Sequence, residues 1–186
     1  MYERVKKIAE AASMMANVDY EMELISGIYE IIPNRFGAGI IQNNFEILGE
    51  IEYTDFEIDY ANTILKEVGK ELKGVDGTIK PLRPTLPAQG GSTDVGDVSQ
   101  VVPVVRLRTT TAAKDGPWHS WAVVACTGMS IGHKGMIYAT KALSMTMLDL
   151  YKNPKLIEGV KKEFLVRKGD RVYVPQIPPG PPKLID

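Results

Sequence analysis

One histidine in this sequence stands in a setting suited to metal binding. His119 follows Gly116-Pro117 and lies between Trp118 and Trp121. A neutral imidazole that a turn presents among large apolar rings is well placed to be a metal ligand in a partly dry site. A lone histidine also serves structural roles, so the residues alone leave both interpretations of His119 open.

Two aspartates lie in a loop rich in small residues. Asp94 and Asp97 are three positions apart in GGSTDVGDVS, with Gly96 between them. This arrangement is compatible with metal coordination, with a hydrogen bond that orients a metal-bound histidine, or with simple Asx turns. On residue chemistry alone, turn formation is the simplest of the three.

His133 and Cys126 complete the set of residues with candidate chemistry. His133 begins a predicted helix beside Lys134, where the helix dipole favours a neutral imidazole and a bound anion. A position in the helix cap explains His133 equally well. A His-Cys-His zinc site with His119 is suggested by the spacing, but Cys126 ends an apolar run and is more simply a small buried hydrophobe. No phosphate-binding loop or nucleophile elbow occurs.

The composition disfavours several classes of partner. The 186 residues carry 22 basic and 23 acidic side chains, for a net charge of −1. The chain therefore lacks the basic field typical of nucleic-acid or anionic-membrane binding. The one cysteine forms no internal disulfide, and no window approaches the ~18 consecutive apolar residues of a membrane span. We expect a cytoplasmic protein with no nucleic-acid and no membrane partner.

Apolar residues at helical spacing predict five helices. Their ranges are 3–16, 36–48, 54–72, 135–150 and 155–165. Thr54 and Glu57 form a capping box, and Asn153-Pro154 suits the start of the last helix. The helix at 135–150 is apolar nearly all round and is expected to be buried. The carboxylates between 46 and 59 indicate a solvated face.

Three segments are predicted to be strands. Residues 20–32 alternate as a half-buried strand, and residues 98–109 are β-branched, with Pro103 placing them at an edge or bulge. The apolar run at 121–126 suits a strand covered on both faces. Together with the helices, these strands predict an α/β fold in which helices pack on a mixed sheet.

Several motifs together resemble the carboxy-terminal half of the aminobenzoyl-glutamate utilisation protein B group. The resemblance rests on YERVKKIAE, IIPN, GGSTDVGDVS, HSW, SIGHKGMIYATKAL and DLYKNPKLIEGVKKEF, and it covers about residues 2–165. That group belongs to the zinc-dependent aminoacylase and carboxypeptidase family of metallopeptidases. The resemblance implies that residues 33–186 are part of an α/β catalytic domain. Residues 1–32 would be the last helix and strand of an α+β lid, which makes the dimer in complete members.

The resemblance also implies a function and a site. The complete enzyme would use zinc or manganese to hydrolyse an N-acyl or aminobenzoyl amide bond next to an amino-acid carboxylate, in a small peptide-like substrate. His119 matches the last metal-binding histidine of the family, and Asp94 matches an acidic position near the active site. For Asp94, Asp97 and His133 we expect contacts with a metal ligand or with substrate. The other metal ligands and the general base precede the matching region, so no catalytic residue is assigned.

Two further hypotheses follow from the missing ligands. In one, the chain is a noncatalytic fragment or a partner-dependent subunit, whose amino-terminal half is lost or supplied by another polypeptide. The lone strand at 20–32 would then fray, pair with another copy or expose an edge. In the other, an α/β binding domain holds a carboxylate between the Gly90-Gly91-Ser92-Thr93 loop and the amino terminus of the 135–150 helix.

Overall fold

The described part of the chain consists of helices joined by irregular segments. The structure is a computed structural model that describes residues 1–83 and 93–181. Its helices are α1 (Tyr2–Ala16), α2 (Arg35–Leu48), α3 (Asp55–Glu67), α4 (Val95–Val101), α5 (Trp121–Thr127), α6 (Ser130–Lys152) and α7 (Pro154–Lys168). No β-strand occurs in these two ranges. The predicted α/β fold with a mixed sheet is therefore wrong for the described residues, and none of their helices is long and apolar enough to cross a bilayer.

Five helices, α1, α2, α3, α6 and α7, lie where the periodicity predicts them, and local caps fix the start of three. The side chain of Asn34 accepts a hydrogen bond from Gly37 N at 2.8 Å before α2. The capping box of Thr54 and Glu57 is complete at the start of α3. Asn153 caps α7, with a proline at its first position. Because each cap satisfies backbone donors from a neighbouring side chain, the sequence locates these helix starts without tertiary information.

The apolar run at 121–126 is a helix rather than a strand. It forms α5, in which Ala122 and Cys126 are buried and lie one helical turn apart on the same face. That face packs between α3 and α6. A short apolar run does not by itself distinguish a strand from a buried helical segment. The packing against two other helices decides between them here.

The prediction of a strand at 98–109 is wrong, because these residues are divided between a helix and an irregular segment. Its first residues belong to α4, and residues 103–111 have no regular secondary structure. Ser99 explains the helical part, because its buried Oγ donates to Gly96 O at 2.6 Å and accepts from Ile32 N at 2.9 Å. The second of these bonds spans 67 residues of sequence, so local propensity does not reveal it.

Residues 18–34 form no strand, although their alternation predicts one at 20–32. Side chains of α4 hold part of this segment instead, as where Tyr29 N donates to Asp97 Oδ2 at 3.2 Å. A strand needs a neighbour to complete its backbone hydrogen bonds. The described residues offer none here, so the alternation does not produce a sheet.

One hydrophobic cluster forms where α3, α5 and the start of α6 meet. Its buried members are Ala61, Ile64, Leu65, Ala113, Ala122, Cys126 and Ile131. The position of Cys126 confirms its interpretation as a small buried hydrophobe, and burial raises the pKa of its thiol. Gly132 allows α6 to start close to the end of α5, because a Cβ at this position would collide with the carbonyl oxygen of Thr127.

The helix α6 is only partly buried, so the prediction of a buried helix is wrong. Its buried residues are Ile131, Gly132, Gly135, Ala142 and Thr146. Six large apolar side chains of α6 are exposed, namely Met136, Ile137, Leu143, Met147, Leu148 and Tyr151. α1 has no buried residue at all. The accessible surface of 13569 Å² exceeds the roughly 8,900 Å² expected of a compact monomer of this mass.

A buried carboxylate joins the start of α3 to the start of α6. Glu57 Oε2 lies 2.6 Å from Lys134 Nζ and 2.7 Å from Thr54 N, and Glu57 is 2% exposed. Lys134 also donates to Glu52 O at 2.9 Å and lies 5.4 Å from the centre of the Tyr53 ring. The predicted solvated face therefore excludes Glu57, whereas neighbouring carboxylates such as that of Glu52 are exposed.

The partners of Glu57 determine its charge. Burial would raise the pKa of Glu57, but hydrogen bonds from Lys134 and Thr54 outweigh burial and lower the pKa to about 2. Burial, with Glu57 and Asp76 nearby, raises the pKa of Tyr53 to about 12. At neutral pH the cluster therefore contains an ionised carboxylate at Glu57 beside a neutral phenol at Tyr53.

Two glycine substitutions test the packing of α6. Gly132→Ala is expected to lower the free energy of unfolding by about 1–3 kcal/mol, because the new Cβ overlaps the Thr127 carbonyl. Gly39→Ala in α2 is the matched control, since its Cβ would meet no atom within 4 Å and alanine favours the helix by up to about 1 kcal/mol. Urea unfolding of both variants measures the difference, and equal stability would contradict the packing described here.

Acid is expected to weaken the fold through Glu57. Its pKa is lower in the folded chain, at about 2, than its ordinary value of 4.5. The contribution of Glu57 to stability is therefore complete above pH 4.5 and is lost as the pH falls towards about 2.

Glu57→Gln should remove this pH dependence and lower the free energy of unfolding at pH 7 by about 1–3 kcal/mol. This range allows for solvent screening at Lys134, whose side chain is 36% exposed. Urea unfolding at pH 7 and pH 3 measures both effects, with Glu52→Gln as the exposed control. A Glu57→Gln variant with the wild-type pH dependence would rule this explanation out.

Candidate functional site

His119 lies on the turn that leads into α5, and its side chain is exposed. The turn comprises residues 113–120, and Ser120 Oγ donates to Pro117 O within it at 2.6 Å. His119 has a φ of 58°, in the left-handed region that residues other than glycine rarely adopt. Its imidazole has no hydrogen bond or ion pair with any residue in the described ranges. The imidazole is therefore available to a ligand or partner.

The tryptophans on either side of His119 do not enclose it. Trp118 is 69% exposed and Trp121 is 55% exposed. Among the described residues, the partly dry surroundings expected from the sequence are therefore not formed. A dry site at His119 would need apolar surface from residues outside the described ranges or from another polypeptide.

Ion pairs anchor the His119 turn to residues 73–76. Lys73 Nζ lies 2.8 Å from Asp115 Oδ2, and Lys114 Nζ lies 3.0 Å from Asp76 Oδ2. Asp115 also has a positive φ, of 59°. These ion pairs hold the amino-terminal side of the turn, where the unfavourable backbone conformation of Asp115 lies.

The carboxylates that anchor the turn are ionised at neutral pH. The Thr78 hydroxyl and the Lys80 ammonium hold the pKa of Asp76 well below its usual range, despite burial, and Lys114 adds to this effect. A hydrogen bond from Lys73 lowers the pKa of Asp115. Because lysines occupy both carboxylates, neither is placed to act as a base beside His119.

Asp94 and Asp97 lie at the start of α4 and make different contacts. Asp94 is exposed, and its carboxylate accepts a hydrogen bond from Thr93 Oγ1 at 3.4 Å. Asp97 accepts from Tyr29 N at 3.2 Å and from Tyr173 Oη at 3.1 Å, through different oxygens. Asp97 therefore ties two distant parts of the chain to α4. For both aspartates, a contact with a metal ligand or substrate stays a prediction.

An open groove of about 440 Å³ lies between the end of α2 and the start of α6. Its lining residues are Leu48, Glu50, Ile51, Glu52, Ser130, His133, Lys134, Ile137, Tyr138 and Lys141. Lys134 is turned towards Glu57, and Tyr138 Oη donates to Gly49 O at 2.8 Å. His133 is exposed, and its imidazole has no hydrogen bond with any described residue. The groove thus offers carboxylates on one wall and basic groups on the other.

The loop that would complete a carboxylate site lies outside the described residues. The hypothesis from the sequence is that a carboxylate binds between the Gly90-Gly91-Ser92-Thr93 loop and the amino terminus of the helix predicted at 135–150. That predicted helix corresponds to α6. Residues 84–92 are not described. The described groove therefore contains only the part of that predicted site that α6 would form, where His133 lies in the first turns of the helix.

The described structure does not assemble the predicted site residues into a cluster. No side-chain hydrogen bond or ion pair within residues 1–83 and 93–181 joins any two of His119, His133, Asp94 and Asp97. Cys126 is buried in the core while both imidazoles are exposed, which argues against the His-Cys-His zinc site. No group of three or more His, Cys, Asp or Glu residues that could hold a metal occurs in these ranges.

The sequence patterns did not single out the pairing of Glu57 with Lys134. The capping box indicates that Glu57 turns back towards Thr54, and this is confirmed. Nothing local indicates that Lys134, 77 residues later, also reaches the same oxygen. Lys134 therefore lines the groove with its charge already paired.

The chain is similar to two hydrolases. It is 26% identical over 188 residues to a subunit of the p-aminobenzoyl-glutamate hydrolase of Escherichia coli (strain K12), a match that covers 88% of this chain and 39% of the relative. It is 32% identical over 99 residues to Xaa-Arg dipeptidase of Mus musculus, covering 53% of this chain and 21% of the relative. No protein-family model and no solved structure matches the chain.

These similarities support the resemblance found in the sequence at the level of the general reaction class. One relative is named as a hydrolase of p-aminobenzoyl-glutamate and the other as a dipeptidase. Similarity to both supports a relationship with amidohydrolases and peptidases. The chain spans about two fifths of the length of the bacterial relative and about one fifth of the mouse relative.

Proposed function

We propose that this chain is the carboxy-terminal part of a metal-dependent amidohydrolase. The substrate class is an N-acyl or aminobenzoyl amide next to an amino-acid carboxylate. The observation that carries the proposal is the similarity to the bacterial p-aminobenzoyl-glutamate hydrolase over 88% of this chain. In this assignment residues 1–32 end a lid domain that makes a dimer, and residues 33–186 belong to a cytoplasmic catalytic domain.

The proposed metal site needs more ligands than the described residues bring together. A catalytic zinc site takes three protein ligands and keeps one open position. His119 is one candidate ligand, and the described ranges contain no cluster that could supply the others. In the proposal, His119 is one ligand of a zinc or manganese site, and the part of the hydrolase that has no counterpart in this chain supplies the rest. We assign no catalytic step to this chain alone.

The surroundings of His119 support a ligand role. The side chain is exposed, it has no partner among the described residues, and the backbone is held at positive φ. An unfavourable conformation that surrounding contacts maintain is common at functional sites.

A partner-dependent subunit is the second candidate function. Its specific support is that the bacterial relative is itself named as a subunit and that this chain matches only 39% of it. The extensive exposed apolar surface of α6 also fits a chain that is completed by another polypeptide. Under this alternative the chain alone has neither bound metal nor turnover.

Activity and metal content test the proposal directly. The chain is co-expressed with the part of the bacterial relative that it does not match. Zinc and manganese content and hydrolysis of p-aminobenzoyl-glutamate and N-acyl amino acids are then measured. We expect stoichiometric metal and turnover in the mixture and neither in the chain alone. A folded complex with no metal and no turnover would overturn the amidohydrolase proposal and favour the noncatalytic alternative.

A substitution at His119 separates a ligand from a structural residue. His119→Gly relieves the positive φ and should raise the free energy of unfolding by up to about 1 kcal/mol. In the complex with the unmatched part of the bacterial relative, it should also lower turnover and metal affinity by at least about 100-fold, because a ligand is lost. Asn17→Gly is the matched control, since it relieves a similar φ, of 51°, outside the turn and leaves the imidazole in place. Unchanged turnover and metal content in His119→Gly would refute the ligand role.

A further inference from the structure

Residues 27–32 contact both α4 and the carboxy-terminal segment 171–176. A Cβ at Gly96 of α4 would collide with a backbone carbonyl oxygen of residues 27–32. A Cβ at Gly27 would lie 2.9 Å from the Cβ of Gln176, which is too close for two carbon atoms. Glycine at these two positions therefore allows three parts of the chain that are distant in sequence to pack closely together.

The carboxylate of Asp97 joins these three parts. Its Oδ2 accepts a hydrogen bond from Tyr29 N at 3.2 Å, and its Oδ1 accepts one from Tyr173 Oη at 3.1 Å. The rings of Tyr29 and Tyr173 meet edge to face, with their centres 5.6 Å apart. Desolvation and the hydrogen bond to Asp97 raise the pKa of Tyr173, so its hydroxyl is protonated at neutral pH. We call Tyr29, Asp97 and Tyr173 the clasp.

Further contacts hold the carboxy-terminal segment to residues 27–32. Tyr29 Oη donates to Val174 O at 3.0 Å and accepts from Gln176 Nε2 at 3.0 Å. Arg171 Nη1 lies 3.4 Å from Glu30 Oε1. Because both of these charged side chains are exposed, their ion pair contributes little, and Tyr29 provides the more specific attachment.

Buried side chains of α4 hold the other end of residues 27–32. Gln100 Nε2 donates to Glu30 O at 2.9 Å, and Ser99 Oγ accepts from Ile32 N at 2.9 Å. Ser99 and Gln100 are 0% and 2% exposed. α4 has only seven residues, and helices shorter than about 12 residues are marginal on their own. Its position therefore depends on contacts with residues 27–32 and, through the clasp, with the carboxy-terminal segment.

The backbone transmits the position of Asp97 to Asp94. Asp97 N donates to Asp94 O at 2.9 Å in the first turn of α4. The carboxylate of Asp94 is exposed, and its bond from Thr93 Oγ1 is long, at 3.4 Å. Asp94 is thus a carboxylate open to a ligand, whereas each oxygen of Asp97 already accepts a hydrogen bond from its own chain.

We propose that the clasp positions Asp94 to accept a hydrogen bond from an N–H donor of the amide substrate. Asp97 is then a positioning residue, and this role takes the place of its own contact with a metal ligand or substrate. Tyr173 gives the carboxy-terminal segment a part in the same task. The proposal rests on the proposed function for the role of Asp94, and on the contacts described above for the clasp.

Hydrogen exchange on the full chain tests the clasp. Tyr173→Phe keeps the ring and removes the hydroxyl. Amides of residues 27–32 and of α4 should then exchange about 10-fold faster, because a hydrogen bond to a charged group is lost. Tyr151→Phe is the matched control, since Tyr151 is 86% exposed and its change should leave exchange unaltered. Unchanged exchange in Tyr173→Phe, or equal acceleration throughout the chain, would overturn the clasp.

Kinetics of the complex described under the proposed function test the role of the clasp, with p-aminobenzoyl-glutamate as substrate. Tyr173→Phe and Asp97→Ala should raise KM by about 3–30-fold and change kcat by less than about 2-fold, because substrate binding is weakened through a displaced Asp94. Metal content should not change. A fall in kcat at constant KM would indicate fewer folded molecules and would contradict a positioning role.

Asp97→Asn separates positioning from a direct contact that needs charge. The asparagine oxygen can accept from Tyr29 N, and its amide can donate to Tyr173 Oη, so the clasp is kept. KM of this variant should stay within about 2-fold of the wild-type value. An effect as large as that of Asp97→Ala would show that the charge itself is required and would overturn the proposal.

A double substitution tests whether the clasp acts through Asp94. In an Asp94→Ala background, Tyr173→Phe should have no further effect on KM, because the residue that it positions is absent. If Tyr173→Phe raises KM by the same factor in both backgrounds, the clasp does not act through Asp94 and the proposal is wrong.

Failure of the proposed function is distinguishable from failure of the clasp. Absence of turnover in the wild-type complex would remove the proposed activity and the role of Asp94, while hydrogen exchange would still decide whether the clasp exists. Turnover with a KM that is unaffected by Tyr173→Phe would leave the proposed function standing and remove the positioning role.

Discussion

The contact between Glu57 and Lys134 is the interaction on which the rest of the described fold depends. A carboxylate that is 2% exposed requires a charged or hydrogen-bonded partner, because an unpaired buried charge is strongly unfavourable. Lys134 supplies it from the first turns of α6, while Thr54 supplies hydrogen bonds from the start of α3. The two helix starts are therefore fixed together directly above the hydrophobic cluster that α3, α5 and α6 share.

The position of α6 in turn determines how the chain displays its candidate chemistry. α5 packs between α3 and α6, and the turn that carries His119 leads directly into α5. Ion pairs from Lys73 and Lys114 hold the other side of this turn. His119 is thus presented on a well-anchored element, with its imidazole directed at no described side chain. This arrangement suits a residue that completes a site formed with other polypeptide.

The exposed apolar surface of α6 also suits a chain that contacts another polypeptide. α6 buries one row of small residues against α2, α5 and α7 and leaves an apolar row exposed. Residues 103–111 lie against this helix layer, where a Cβ at Gly37 or Gly135 would collide with them. An exposed apolar row of this kind is uncommon on monomers.

The sequence by itself determined the features that depend on near neighbours. The box of Thr54 with Glu57, and Asn153, mark helix starts because each cap bonds to backbone within three residues. The apolar character of Cys126 likewise predicted its burial. The motifs that resemble an amidohydrolase were also readable directly, and the two relatives support them at the level of amidohydrolases and peptidases.

Only the tertiary structure decided the features that depend on distant partners. The alternation at 20–32 and the apolar run at 121–126 suit strands, but a strand exists only where a second strand completes its hydrogen bonds. In the described residues, α3 and α6 offer a helical partner to the run at 121–126, and α4 side chains hold part of 20–32. The pairing of Glu57 with Lys134 spans 77 residues for the same reason. Side chains that meet through folding leave no trace in local spacing, because their separation along the chain is unrelated to their distance in space.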